Sequence, residues 1–260
     1  MATTSERLTS FQNSVLLIEP TARWIRGFFN GVPVVDSKRA IIVKSRGGRR
    51  GRLAYYFPVE DVRMDLLTPT GTTTNDRHIG DATHYDLSVN GKTAEQAAMS
   101  FGEPHATEEG FTEDAPDLRG YVTFAWDKMD SWFEEAEEIF AHPRDPYKRI
   151  DCIKSTRHIK VTLGGEVVAD THNPVLLFET GLRTRYYLPK IDVRMDLLRP
   201  SETHSVCPYK GTASYYSVEV NGKLYEDAAW YYPQALPESM PIAGGYVAFY
   251  DETMDAVEVE

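Results

Sequence analysis

The sequence predicts a mostly β chain made of two tandem copies of one small domain. Three observations predict it. A seven-residue word occurs twice, two-residue turns recur at matching places in both halves, and short apolar–polar alternating runs lie between those turns.

The word is DVRMDLL, at Asp61–Leu67 and Asp192–Leu198, an offset of 131 positions (192 − 61). The same offset pairs Tyr55-Tyr56-Phe57-Pro58 with Tyr186-Tyr187-Leu188-Pro189, Asn90-Gly91 with Asn221-Gly222, and Ala97-Ala98 with Ala228-Ala229. Upstream the offset is 134, pairing Gly31 with Gly165 and Asp36 with Asp170. Downstream it is 125, pairing Gly120-Tyr121-Val122 with Gly245-Tyr246-Val247 and Met129-Asp130 with Met254-Asp255. The first copy therefore carries three extra residues, assigned to the Arg46–Gly51 loop, and six more within Glu103–Arg119. Insertions that fall between periodic segments are expected of a true repeat, because loops tolerate changes of length.

Each copy opens on a predicted hairpin. In the first, Trp24–Phe29 and Val32–Val35 flank Asn30-Gly31; in the second, His158–Leu163 and Val167–Ala169 flank Gly164-Gly165. Val175–Phe178, Arg185–Leu188 and Ala213–Val220 read as further strands, Asn221-Gly222 as another turn, and Gly245–Tyr250 as the closing strand. In VRMDLL, valine, methionine and leucine alternate with arginine and aspartate, which predicts a strand with one core face and one polar face. Between the copies, Trp132, Phe133, Ala136, Ile139 and Phe140 fall at helical spacing within Ser131–Phe140. Asp130 or Ser131 is placed to cap that helix, glutamates favour its N-terminal end, and His142-Pro143 ends it. The expected organisation is a first repeat at 14–130, a helical linker at 131–150 and a second repeat at 151–260, packed as one unit.

Hydrophobic residues make up 42% and charged residues 26% of the 260, a globular profile. No apolar run long enough to span a bilayer occurs, so no membrane association is expected. The N-terminal stretch does not read as a secretory signal. The net charge of -11 would repel phosphate backbones, so nucleic acid is not an expected partner. Two cysteines, Cys152 and Cys207, cannot build a disulfide framework or a four-thiolate zinc site. A reduced, cytoplasmic protein is expected.

TRYYLP, DVRMDLL, CPYKGTASY, AAWYYP and GGYVAFY resemble the domain-of-unknown-function-427 family of bacteria and fungi, sometimes filed under a nucleotidyltransferase-like label. The linker text HPRDPYKRID is similar to tandem members. The resemblance runs from about Trp24 to Asp255 and implies β-tent-like domains, small antiparallel sheets leaning together over a pocket. Relatives with that fold include zinc-binding chaperone-like proteins and B-type methionine sulfoxide reductases. Their paired CxxC zinc knuckles are absent here, so zinc does not carry over, and the family supplies no activity. In the first copy CPYKG is replaced by Asp76-Arg77-His78-Ile79-Gly80, and the Trp230 position is Met99.

Four groups of residues carry chemistry candidates. In Cys207-Pro208-Tyr209-Lys210-Gly211, a proline-bent turn brings a thiol and an ammonium together, and a nearby ammonium raises a thiol's thiolate fraction. Cys207 and Lys210 are thus candidate catalytic groups; the plainer reading is a tight turn with a buried, inert thiol. Asp192, Arg194 and Asp196, with twins Asp61, Arg63 and Asp65, share one face of the predicted strand. The arginine argues against a metal between the carboxylates and against the nucleotidyltransferase label; the group reads as ion pairing, with Arg194 open to clamp an anion. Among Tyr186, Tyr187, Tyr209, Tyr215, Tyr216, Trp230, Tyr231 and Tyr232, most should be core and a minority should line a cleft, with Tyr209, Tyr216 and Trp230 preferred as walls. Asp76, His78 and His84 are metal candidates whose spacing fits no established motif; no metal or cofactor is assigned. No dinucleotide, P-loop, GxSxG or HExxH signature occurs.

The leading expectation is a small-molecule pocket in the second repeat, on a metabolite-directed enzyme using acid–base or thiol-assisted chemistry. The competing expectation is a non-catalytic binding module for a protein partner or a second copy.

Overall fold

The computed structural model describes residues 16–45, 53–76, 79–102 and 117–260. It divides into two compact units, Met1–Pro143 and Arg144–Glu260. The first unit contains β1 (Leu16–Pro20), β2 (Ile25–Phe29), β3 (Val32–Ser37), β4 (Ile41–Ser45), β5 (Leu53–Pro58), β6 (Leu67–Asp76), β7 (Gly80–Val89), β8 (Lys92–Phe101), β9 (Tyr121–Phe124), β10 (Ser131–Glu134) and β11 (Glu137–Ile139). The second contains β12 (Ile150–Lys154), β13 (Ile159–Leu163), β14 (Glu166–Thr171), β15 (Val175–Glu179), β16 (Arg185–Pro189), β17 (Leu198–Cys207), β18 (Gly211–Val220), β19 (Lys223–Tyr231), β20 (Tyr246–Phe249) and β21 (Ala256–Val259). The chain is mostly β, as its alternating pattern predicts.

Both units repeat one topology. In the first, a seven-stranded sheet runs β1-β4-β5-β9-β8-β7-β6 and a smaller one β11-β10-β2-β3; in the second the orders are β12-β15-β16-β20-β19-β18-β17 and β14-β13-β21. Replacing each strand by its counterpart turns one order into the other, with β11 the addition. The turns explain part of this fidelity. Asn30 and Gly31 have φ of 47° and 75°, and Asn221 and Gly222 of 50° and 76°. Positive φ at both central positions is the hairpin turn whose twist matches its strands.

The smaller sheet covers one face of the larger. In the first unit Ile25, Val34, Phe57, Leu87, Val122 and Trp132 meet in that core; in the second, Ile159, Leu163, Val168, Leu188, Val218 and Val247 do. Gly27 shows how closely the layers approach. A Cβ there would stand 2.7 Å from Trp132 Cζ3 and 2.9 Å from Val35 Cγ1. Gly27→Ala should therefore destabilise the first unit by about 1–3 kcal/mol through overpacking, measured by urea denaturation.

Two sequence expectations need correction. Ser131–Phe140 is not a helix: Ser131–Glu134 is β10, paired antiparallel with β2, and Glu137–Ile139 is β11, paired with β10. Trp132 and Glu134 point inward, Ala136 and Phe140 are exposed, and Glu135 turns the chain at φ 53°. The open edge of β2 takes a strand, and its ladder outweighs a helical preference worth only tenths of a kcal/mol per residue. The counterpart in the second unit, β21, pairs with β13 in the same way.

DVRMDLL is likewise not a strand. Val59–Asp61 and Met64–Leu66, and in the second unit Lys190–Asp192 and Met195–Leu197, are single 3-10 turns. Before Leu67 and Leu198, which open β6 and β17, only Val62 and Val193 form a β-bridge, to Val35 and Ala169. The carboxylates therefore do not share one strand face, though they are ion-paired or hydrogen-bonded. Asp61 accepts from Ser37 and Arg39, and Asp192 from Thr171 at 2.6 Å, while Arg63 and Arg194 each fork onto Asp65 and Asp196. Among the described residues no helix is long and apolar enough to cross a membrane.

Candidate functional site

The far face of the second unit's large sheet carries a second cluster: Val175, Leu177, Tyr187, Ala213, Trp230, Tyr232, Ile242 and Ala248. Beside it opens a cleft of about 550 Å³. Its aromatic wall is Tyr187, Tyr215, Trp230, Tyr232 and Tyr250, and its charged rim is Glu179, Arg183, Arg185 and Lys210.

Strand alternation builds the wall. Tyr187 faces the cleft from β16, Tyr215 from β18 and Trp230 from β19, where Tyr215 and Trp230 are direct cross-strand partners. Trp230 Nε1 donates to Tyr187 Oη at 3.1 Å. The Trp230 ring lies 4.5 Å from that of Tyr250, and the Arg185 guanidinium lies 5.4 Å from the Trp230 centroid. Tyr215 Oη bonds Ser205 Oγ at 2.7 Å. Burial raises the Tyr187 and Tyr232 hydroxyls above the ordinary phenol range and takes Tyr250 to about 12, so all three are protonated donors near neutrality.

The rim is an ionic cluster. Lys210 Nζ stands 2.5 Å from Glu179 Oε2, and Lys148 Nζ 3.1 Å from Glu179 Oε1. Glu179 is 7% exposed and Lys210 13%. Burial pushes the Glu179 carboxyl up, but hydrogen bonds and charge from Lys210 and Lys148 more than offset it, and Glu179 is held below its ordinary value. Arg183 pairs with Asp251 and Glu252, and Arg185 with Asp251 at 3.5 Å.

The turn after β17 supplies Lys210. Cys207 pairs with Gly211 across three turn residues, and Gly211 has φ 96°. Lys210 O accepts from Leu236 N, and the Lys210 side chain turns to Glu179. Cys207 is half-buried and is not among the cleft-lining residues. The other thiol, Cys152, is pushed up by burial, against which the Lys210 charge acts. Tyr209 Oη accepts from Asp145 N at 2.7 Å. Tyr216 stacks on Tyr231 at 4.7 Å with Lys190 nearby, and Arg194 is exposed on Asp196; none of these three lines the cleft.

In the first unit the same positions are filled. Strand register equates Val43 with Leu177, Ala54 with Arg185 and Tyr56 with Tyr187. Continuing it places Ser45 at Glu179, Ile79 at Lys210, His84 at Tyr215, Met99 at Trp230, Phe101 at Tyr232 and Ala125 at Tyr250. Val43, Tyr56, Ile79, Ala82, Phe101 and Leu118 form an apolar cluster there, with Tyr56 and Phe101 stacked at 5.7 Å. His84 is 9% exposed and bonds Thr74 Oγ1 at 2.8 Å, repeating the Tyr215–Ser205 contact. His78 and the side chain of Asp76 lie outside the described residues, as do Arg46–Gly51 and most of Glu103–Arg119. Among the described residues no three His, Cys, Asp or Glu side chains gather as a metal site.

Of the residues the sequence singled out, Lys210 and Trp230 line the cleft and Cys207, Tyr209, Tyr216 and Arg194 do not; Glu179, Arg185, Lys148 and Tyr250 were missed. The signal was in the repeat: Glu179, Arg185 and Tyr250 stand opposite Ser45, Ala54 and Ala125. A family model described as a domain of unknown function, DUF427, matches residues 17–135 and 151–260. No curated protein matches the chain.

Proposed function

The chain belongs to the DUF427 family through both of its halves, and on that premise we propose that its second repeat binds a small planar organic molecule in the aromatic cleft. The first repeat keeps the fold without the site. One contrast carries this reading: where the described residues of the first unit form an apolar cluster, the second has a cleft lined by five aromatic rings and a buried Lys210–Glu179 pair. Clefts of this size with a few convergent polar groups are the usual form of small-molecule sites.

Trp230 and Tyr250 offer ring faces for stacking. The Lys210 ammonium, held by Glu179 and mostly shielded from water, gives the cleft a proton donor. Acid–base chemistry on the bound molecule is therefore the reaction type we assign, should the ligand turn over. Thiol assistance has less support, because neither sulfur lines the cleft. Cytoplasmic residence is proposed with it, on the grounds of two free cysteines and the acidic net charge.

A thermal-shift screen against organic metabolites tests the reading. A compound that raises the melting temperature of the full chain should lose that effect in Trp230→Ala and Lys210→Ala and keep it in Cys207→Ala. A ligand present at 100 times its Kd stabilises by about 2.7 kcal/mol, well within detection. Shifts that survive Trp230→Ala, or no shift with any compound, would overturn it.

One observation favours a protein-binding role as the second reading. Ile153 and Phe178 are exposed and share a face of the paired strands β12 and β15. Capture of a stable partner that Ile153→Asp abolishes, beside a silent compound screen, would select it.

A further inference from the structure

The cleft of the second unit holds a buried hydrogen-bond donor that the protein leaves without a partner. Arg185 Nη1 is buried and has no hydrogen-bond partner. Asp251 Oδ1 stands 3.5 Å from it, an ion-pair distance, and the stacking on Trp230 satisfies the charge without supplying an acceptor. Tyr232, 5% exposed, also lines the cleft and brings a phenol hydroxyl to it. Tyr187 Oη accepts from Trp230, so its own proton is still to be placed. Lys210 commits one of its three N–H donors to Glu179. The Glu179 carboxylate is the one charged acceptor on the wall, and Lys210 and Lys148 take one oxygen each.

The charges lean the same way. Arg183 and Arg185 are opposed by Asp251 and Glu252, whereas Lys148 and Lys210 face the single carboxylate of Glu179. One positive charge is left over, in a protein whose net charge is -11. A buried donor without an acceptor is costly, and a fold that retains one at the wall of a cavity, beside phenol and ammonium donors, has a place for a group that accepts.

We propose that the ligand of this cleft is an aromatic carboxylate. Its ring lies against Trp230 and Tyr250, and its carboxylate takes the donors of Arg185 and Tyr232. A guanidinium holds a carboxylate through two parallel hydrogen bonds, stronger than neutral ones. The phenol of Tyr232 stays protonated because burial keeps its pKa high, so it donates throughout the physiological range. This inference rests on the cleft being a ligand site, the reading given above.

Three probes that share a ring and differ in charge separate the two claims: 2-naphthoate, 2-naphthamide and 2-naphthylmethylamine, titrated calorimetrically into the full chain. The carboxylate should bind at least about tenfold more tightly than the amide, the smallest gain expected of a charge-assisted hydrogen bond. The amine should bind weakest. Arg185→Met should erase the preference for carboxylate over amide, while Arg185→Lys, which keeps the charge and loses the fork, should keep a reduced preference and serves if the methionine variant does not fold. Equal binding of acid and amide, or tightest binding of the amine, would overturn the anion assignment and leave the cleft standing. If none of the three binds, or Trp230→Ala leaves their binding unchanged, the cleft reading itself is lost.

Discussion

Glu179→Gln should lower the unfolding free energy of the second unit by about 3–5 kcal/mol, the cost of removing one partner from a buried ion pair. The side chain it replaces is 7% exposed and carries both Lys210 and Lys148. Glutamine keeps the volume and one acceptor, so the loss isolates the charge. Two partly buried ammoniums would then face each other without an anion. Lys148 is 21% exposed and can relax toward water, which places the expectation at the lower end of that range. Hydrogen exchange on peptides of β15 and β18 reads this in the second unit alone. The pH dependence carries a definite sign. The folded Glu179 carboxyl lies below its ordinary value. Its contribution is therefore fully present above the ordinary glutamate pKa and is lost as pH falls through the depressed, folded one. Wild type should lose this protection on acidification; Glu179→Gln should lack it at every pH. A variant within about 1 kcal/mol of wild type at neutral pH would mean that the pair is solvated at the cleft rim.

The duplicated fold was legible because its signals are local. Asn30-Gly31 and Asn221-Gly222 need positive φ at both central residues, a demand few dipeptides meet, and an exact seven-residue repeat cannot hide. The errors arose where a local pattern fits two structures. Trp132, Phe133, Ala136, Ile139 and Phe140 satisfy a helical period, yet the unpaired edge of β2 decides the outcome, and that edge is set by residues about a hundred positions earlier. The alternation in VRMDLL reads as a strand, but 3-10 turns take up most of it and leave an isolated bridge at Val62 and Val193 before the strands that start at Leu67 and Leu198. For the cleft, Lys210 was visible in its turn, while Glu179 was not, because the two residues are 31 positions apart and no spacing rule links them. Subtracting one repeat from the other reveals what periodicity cannot. A charge or large ring in one copy that faces a small or apolar residue in the other marks a position the shared fold does not require.

Trp132→Ala should destabilise the first unit by about 3–5 kcal/mol, the usual cost of emptying a buried tryptophan site. Trp132 is 3% exposed. Its ring stacks on Trp126 at 5.1 Å and on Phe57 at 5.9 Å, and meets Phe124 edge-on at 6.2 Å. It reaches those partners only because β10 lies beside β2 with Trp132 opposite Gly27. The same pairing predicts coupling. The Cβ introduced by Gly27→Ala collides first with the Trp132 ring and second with Val35. On a Trp132→Ala background the first collision is gone and the cavity takes up the added methyl. Gly27→Ala should then cost clearly less than it does in the wild type, a coupling of about 0.5–3 kcal/mol for residues in contact. Were Ser131–Phe140 a helix held away from β2, the two substitutions would be independent and their costs would add. A double-mutant cycle by urea denaturation distinguishes these outcomes, and additive values would remove β10 from the sheet.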